Sequence, residues 1–149
     1  ISNSICFSID GTAMYFCDSM KKAIYRWDDY LGGDASRVRV FAVLDPGPGA
    51  ADGATIDADD YLWSAQWGAG RVLRFAPDGS VERKVTLPVS QPSCVSLGGP
   101  HYDELFVTTA QENLTPAQLA DEPLAGGLFH ARQMGVRGLP EVRFGALPA

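Results

Sequence analysis

Three polar residues stand at the heads of short apolar runs: Asn3 in "NSICFS", Asp52 in "DGATID" and Ser93 in "SCVSLG". An amide carbonyl and a carboxylate are hard oxygen donors of the kind that hold Ca²⁺ or Mg²⁺. A carboxylate beside a polarised water can also take its proton as general base. Taken singly, both residues have plainer readings. "Ala-Asp-Gly" around Asp52 is common turn chemistry, since Asp and Gly both tolerate left-handed backbone, and Asn3 alone is a strand-end residue. Ser93 has no histidine near it and no GxSxG elbow, which speaks against a nucleophile. His101 and His130 lack metal-ligand spacing. The glycines of "GPGAADG" and "WGAGR" do not lie between a strand and a helix, as a phosphate cradle requires. Trp27, Trp63 and Trp67 sit in or beside strands and are most simply blade packing. Asn3 and Asp52 become a site only if the fold brings them together.

The elements that must position them repeat along the chain. "AMYFCDS" (13–19), "YLWSAQW" (61–67) and "ELFVTTA" (104–110) each follow a cluster of turn formers and are rich in aromatic and β-branched residues, as strands are. A further strand follows in each unit, "KAIYRW" (22–27), "GRVLRF" (70–75) and "GGLFHA" (126–131), and a more polar one closes the first two, "RVRVFAVL" and "SVERKVTL". The period is about 45 residues, which fits a β-propeller blade of four short strands. The apolar runs behind Asn3, Asp52 and Ser93 are then the innermost strands. Each polar residue begins one of them, facing a shared central channel. This predicts an all-β chain of about three four-stranded blades, over roughly 1–50, 51–91 and 92–149, in one propeller domain. One helix interrupts it in "LTPAQLADEP", with Thr115 as N-cap, Pro116 in the first turn and Gln118 completing a capping box.

The 149 residues are 46% hydrophobic and carry a formal net charge of -6, enough apolar content for one core and the wrong sign for a nucleic-acid backbone. The expectation is no nucleic acid and no membrane: no apolar run is long enough to span a bilayer. Cys6, Cys17 and Cys94 are an odd number inside apolar runs, which points to a reducing, cytoplasmic setting.

The stretches "SNSICFSIDGTAMYFCDS", "DGATIDADDYLWSAQWGAGRVLRFAPDGSV", "LPVSQPSCVSLGGPHYDELFVTTA" and "PLAGGLFHARQMGVRGLPEVRFGA" cover nearly the whole chain. In that order and spacing they resemble the C-terminal half of the SMP-30/gluconolactonase/LRE family, also called the regucalcin family. The resemblance implies a six-bladed propeller with one divalent metal ion in its channel: Ca²⁺ first, with Zn²⁺, Mg²⁺ or Mn²⁺ as alternatives. It implies hydrolysis of sugar lactones such as gluconolactone, arabinonolactone or xylonolactone. Asn3 and Asp52 match the family's Asn and Asp metal ligands, and Asp52 also takes the general-base role. Ser93 and Trp67 are secondary candidates for contact with substrate. The family's Asn-Gly is Asn3-Ser4 here, so a different local turn is expected. The family's third ligand, a Glu, and its substrate-contacting Arg and Asn belong to the other half. Three blades of six form an open half-ring, so the expected partner is the remaining half of the propeller or a second copy. The rival readings are a calcium-binding or scaffold propeller without catalysis, and an inactive fragment.

Overall fold

The computed structural model describes residues 1–140 and 145. Three antiparallel sheets follow one another along the chain. The first holds β1 (Ser2–Phe7), β2 (Ala13–Asp18), β3 (Ala23–Asp28) and β4 (Val38–Val43) in sequence order. The second repeats the order with β5 (Ala50–Ile56), β6 (Leu62–Trp67), β7 (Arg71–Phe75) and β8 (Val81–Thr86). The third pairs β9 (Pro92–Gly98) with β10 (Glu104–Thr109), and β10 with β11 (Leu128–Ala131). Among the described residues this sheet has three strands, so the expected four-stranded blade is not seen there. Beyond β11 the chain turns through left-handed Gln133 and Gly135. It then joins its neighbours' turns, Ala58 N donating to Arg137 O and Gly138 N to Tyr102 O, each at 2.7 Å. Backbone groups spent on those turns are not available for a ladder. The tail of the closing motif, 141–144, lies outside the described residues.

The helix α1 (Pro116–Asp121) sits between β10 and β11, with Thr115 and Gln118 forming the anticipated capping box. Its Leu119 packs against the core beneath.

Sheets stack through apolar faces. Tyr15, Cys17, Ile24 and Phe41 of the first sheet meet Ile56, Leu62, Leu73 and Phe75 of the second. On its other face the second sheet presents Trp63 and Val72 to Val95, Leu97, Leu105 and Val107 of the third. Neighbouring residues of β6 and β7 therefore serve different cores, as a period of two requires. The innermost strands lie side by side, β1 against β5 and β5 against β9. Gly53 makes the second approach possible: a Cβ there would stand 2.5 Å from Cys94 Sγ and 2.8 Å from Cys94 Cα.

Candidate metal and ligand site

Each innermost strand is irregular at its polar residue. Between Asn3 and Cys6, β1 has one residue more than β2 opposite; between Ala51 and Ala54, β5 has one more than β6. In β9 the surplus residue is Ser93 itself, between Pro92 and Cys94. These are β-bulges, which interrupt the ladder and re-aim a side chain. The strands begin at Ser2, Ala50 and Pro92, so Asn3, Asp52 and Ser93 lie one or two residues inside them instead of at their first positions.

Ser4 explains what the departure from Asn-Gly does. Its φ of 57° lies in the left-handed region, so a serine occupies the backbone conformation that glycine adopts more readily. The turn is therefore of the glycine-favouring kind after all. The buried Ser4 side chain compensates by donating its Oγ–H to the Asp52 backbone carbonyl, across the gap between β1 and β5. Sequence reasoning missed Ser4, although its place in an Asn-Gly motif was the available signal.

Asn3 and Asp52 meet directly. Asn3 Nδ2 donates to Asp52 Oδ1, while Asn3 Oδ1 accepts from Ser4 N at 3.0 Å. Burial pushes the half-buried Asp52 carboxyl above its ordinary value, and hydrogen bonds from Asn3 and the Gly53 backbone pull the other way. A carboxylate lifted in this way holds a proton more readily. As the side chains stand, Asn3 turns its amide nitrogen to the carboxylate; half a turn about Cβ–Cγ would present its oxygen. The pair then offers one neutral and one charged oxygen to a hard cation, a fit to part of a coordination shell of six to eight. Among the described residues no group of three or more His, Cys, Asp or Glu side chains is gathered to hold a metal.

Asn3 and Asp52 open into a pocket of about 560 Å³ that Trp67 also lines, together with Gln91, Glu112 and Gln118. That volume suits a small ligand. Ser93 does not line it, and its Oγ is paired with Thr108 Oγ1 at 2.8 Å. The structure therefore brings together Asn3, Asp52 and Trp67 and leaves Ser93 aside. His130 stacks on Phe106 with ring centroids 4.5 Å apart and hydrogen-bonds Glu104, and is a blade-packing residue. Cys6, mostly buried, has its thiol pushed up to about 12 by burial, which leaves it without nucleophilic character at neutral pH.

Consecutive four-stranded antiparallel sheets whose first strands lie side by side define a propeller-like all-β protein. The chain belongs to the SMP-30/gluconolactonase/LRE-like family, whose model matches residues 1–111. It is 45% identical over 148 residues to the L-arabinolactonase of Azospirillum brasilense, covering 99% of this chain and 48% of that protein. It is 37% identical to the 6-deoxy-6-sulfogluconolactonase of Pseudomonas putida, covering 97% of this chain and 50% of that protein. A solved structure from Agrobacterium tumefaciens, described as a calcium-binding protein, regucalcin, superposes with a TM-score of 0.84 at 34% identity. The match covers 93% of this chain and 48% of that one. The chain thus spans about half the length of the curated relatives it matches.

Proposed function

We propose that this chain supplies part of the active site of a sugar lactonase built on a six-bladed propeller, with a divalent cation held at Asn3 and Asp52. The observation that carries the reading is the contact of Asn3 with Asp52 across two bulged inner strands, at the edge of a pocket sized for a small ligand. The names of the two lactonase relatives support the reaction class, and the regucalcin neighbour supports calcium as the ion. A cation held by Asn3 and Asp52 would supply Lewis-acid polarisation of the lactone carbonyl. In hydrolysis a water oxygen bonds to the carbonyl carbon and the ring C–O bond breaks, giving a carboxylate and a hydroxyl. Asp52 takes the proton of the attacking water, a role its partial burial favours. Trp67 offers an apolar face to the sugar ring. The remaining ligands come from the rest of the ring, or from a second copy that completes it.

Asp52→Ala in the full protein is expected to lower lactone hydrolysis by at least about a hundredfold, the usual scale for losing a general base, with the circular dichroism spectrum retained. A pH-indicator assay on gluconolactone and arabinonolactone measures it, and undiminished turnover in the folded variant would remove Asp52 from the mechanism. Asn3→Ala should weaken the cation without abolishing binding, because an amide contributes no net charge. Calorimetric titration of Ca²⁺, Mg²⁺, Mn²⁺ and Zn²⁺ into wild type and variant reads this; an unchanged affinity for every ion would make Asn3 a strand-end residue only. Calcium binding that depends on Asp52 without turnover of any lactone would favour the non-catalytic propeller.

A further inference from the structure

The wall of the pocket that includes Gln91 and Glu112 comes from a different part of the chain from Asn3 and Asp52. It is built by Gln91, just before β9, and by the insert between β10 and β11. The insert is braced at several points. Gln91 accepts from Ala110 N at 3.0 Å through its backbone carbonyl, and its side-chain Nε2 donates to the Glu112 carbonyl at 2.8 Å. Asn113, with φ of 59°, bends the chain into a turn that Leu114 N closes on Gln111 O, and Gln111 Nε2 donates to Ala125 O at 2.6 Å. Glu122 Oε2 accepts from both Ser90 N and Ser90 Oγ, at 2.7 and 2.9 Å. A segment tied down this thoroughly holds its backbone, and so the starting points of its side chains, in place.

Two features remain unexplained by bracing alone. The Glu112 side chain is exposed, and its carboxylate has no hydrogen bond or ion pair among the described residues, so it is free to meet a ligand in the pocket it lines. Gln91 is only 8% exposed, and its Oε1 is buried without a partner among them. An unpaired buried acceptor disfavours folding, so an apolar residue of the same size would suit a purely structural post better. What Gln91 does that an apolar residue could not is hold the Glu112 backbone. No lysine or arginine lines the pocket among the described residues, whereas Asp52 and Glu112 both do.

We propose that Glu112 is a specificity-determining residue that accepts hydrogen bonds from the hydroxyl-bearing tail of a neutral polyhydroxylated ligand, and that Gln91 is its positioning residue. A carboxylate can accept from two adjacent hydroxyls at once, and bonds to a charged acceptor are the stronger kind. The same charge, with Asp52 lining the same pocket and no lysine or arginine there among the described residues, repels ligands whose tail ends in phosphate or sulfonate. The inference rests on the lactonase reading for what is bound, but not for its own test.

That test uses ligands that cannot be hydrolysed. Sorbitol and sorbitol 6-phosphate are titrated into the full protein by ligand-observed NMR, with EDTA present so that phosphate cannot report on a cation. Wild type should prefer sorbitol. Glu112→Gln should weaken sorbitol about tenfold, the loss of one charge-assisted hydrogen bond, and Glu112→Lys should reverse the preference. Gln91→Met should weaken sorbitol as Glu112→Gln does while leaving the melting temperature unchanged or higher, an outcome that a merely structural role for Gln91 would not give. The proposal is overturned if wild type binds neither compound, if it prefers the phosphate, or if the Glu112 variants leave the preference as it was. Glu112-dependent sorbitol binding in a protein that hydrolyses no lactone would sink the lactonase reading and leave this one standing.

Discussion

The middle sheet and the first sheet share one plan and differ in what covers them. In both, an aromatic residue of the second strand faces an arginine of the third: Tyr15 opposite Arg26, and Trp63 opposite Arg74. In the first sheet the arginine pairs with Asp28 at 2.6 Å and donates to Tyr15 Oη at 2.7 Å, near solvent. In the middle sheet it is buried with Asp57, which is 0% exposed and accepts from Trp63 Nε1 at 2.8 Å and Arg74 Nε at 2.7 Å. Two backbone donors, Asp59 N and Tyr61 N, complete the set. Asp59 and Glu82 flank the guanidinium, and the Tyr61 ring lies 3.8 Å from it. A sheet with a neighbour on each face excludes water, and only a fully bonded ion pair survives there. The third sheet places His130 of β11 opposite Phe106 of β10, the two rings stacked.

Removing the carboxylates separates the two environments most sharply. Asp57→Ala should cost about 3–5 kcal/mol, since it leaves Arg74 Nε, the buried Trp63 Nε1 and two backbone donors without their acceptor, while Asp28→Ala should cost about 1 kcal/mol or less, as exposed pairs do. Urea unfolding of both variants measures the ratio, and equal losses would show that burial does not distinguish the two sheets. Next in size is Gly53→Ala, which must push β9 away from β5; overpacking of this kind costs about 1–3 kcal/mol. Gly11→Ala is its control, with nothing within 4 Å of the added carbon and only a positive φ of 67° to oppose it. If both cost the same, the inner strands are not in backbone contact.

Ser4 gives a smaller effect with an informative sign. Ser4→Ala keeps the strained backbone and loses the bond to Asp52, so it should cost about 1–2 kcal/mol. Ser4→Gly relieves the strain and should cost less. Thermal melts of the pair decide whether the hydroxyl or the backbone matters more. The smallest expected effect is the pH response of the first sheet. Side-chain hydrogen bonding, from Arg26 foremost, holds the Asp28 carboxyl below its ordinary value, and the hydroxyl of Ser36 does the same for Asp34. Both therefore add stability above the unfolded carboxylate range, and it is lost as pH falls through their depressed values. Asp52 has the opposite sign, its raised value making the ionised form the costly one at neutral pH. Asp52→Asn should thus raise the melting temperature at pH 7 and not at pH 3.

The strands were legible because turn formers punctuate aromatic and β-branched runs at a regular period. Asn3 and Asp52 were legible as a pair because that period places them alike. The helix cap at Thr115 and Gln118 could be read from four consecutive residues. What could not be read depends on contacts between units. Trp63 and Asp57 lie in a run that reads like its neighbours, and only the second covering sheet turns them into a buried network. Ser93 shares the register of Asp52 yet spends its hydroxyl on Thr108, which no strand pattern announces. Gln91 and Glu112 meet through a carbonyl, and backbone acceptors leave no trace in side-chain spacing.

A bulge lies at or directly beside the polar residue in all three innermost strands, and it amounts to an interchangeable socket. Asp52 and Ser93 fall inside the irregularity and are out of the pairing, while Asn3 borders it and still stands opposite Cys17. Asn3, Asp52 and Ser93 are then three fillings of the same fitting. A lineage can trade an amide for a carboxylate, or retire a position to a hydroxyl that bonds its neighbour, without disturbing any packed face. Diversity of chemistry in such a scaffold costs one codon per blade.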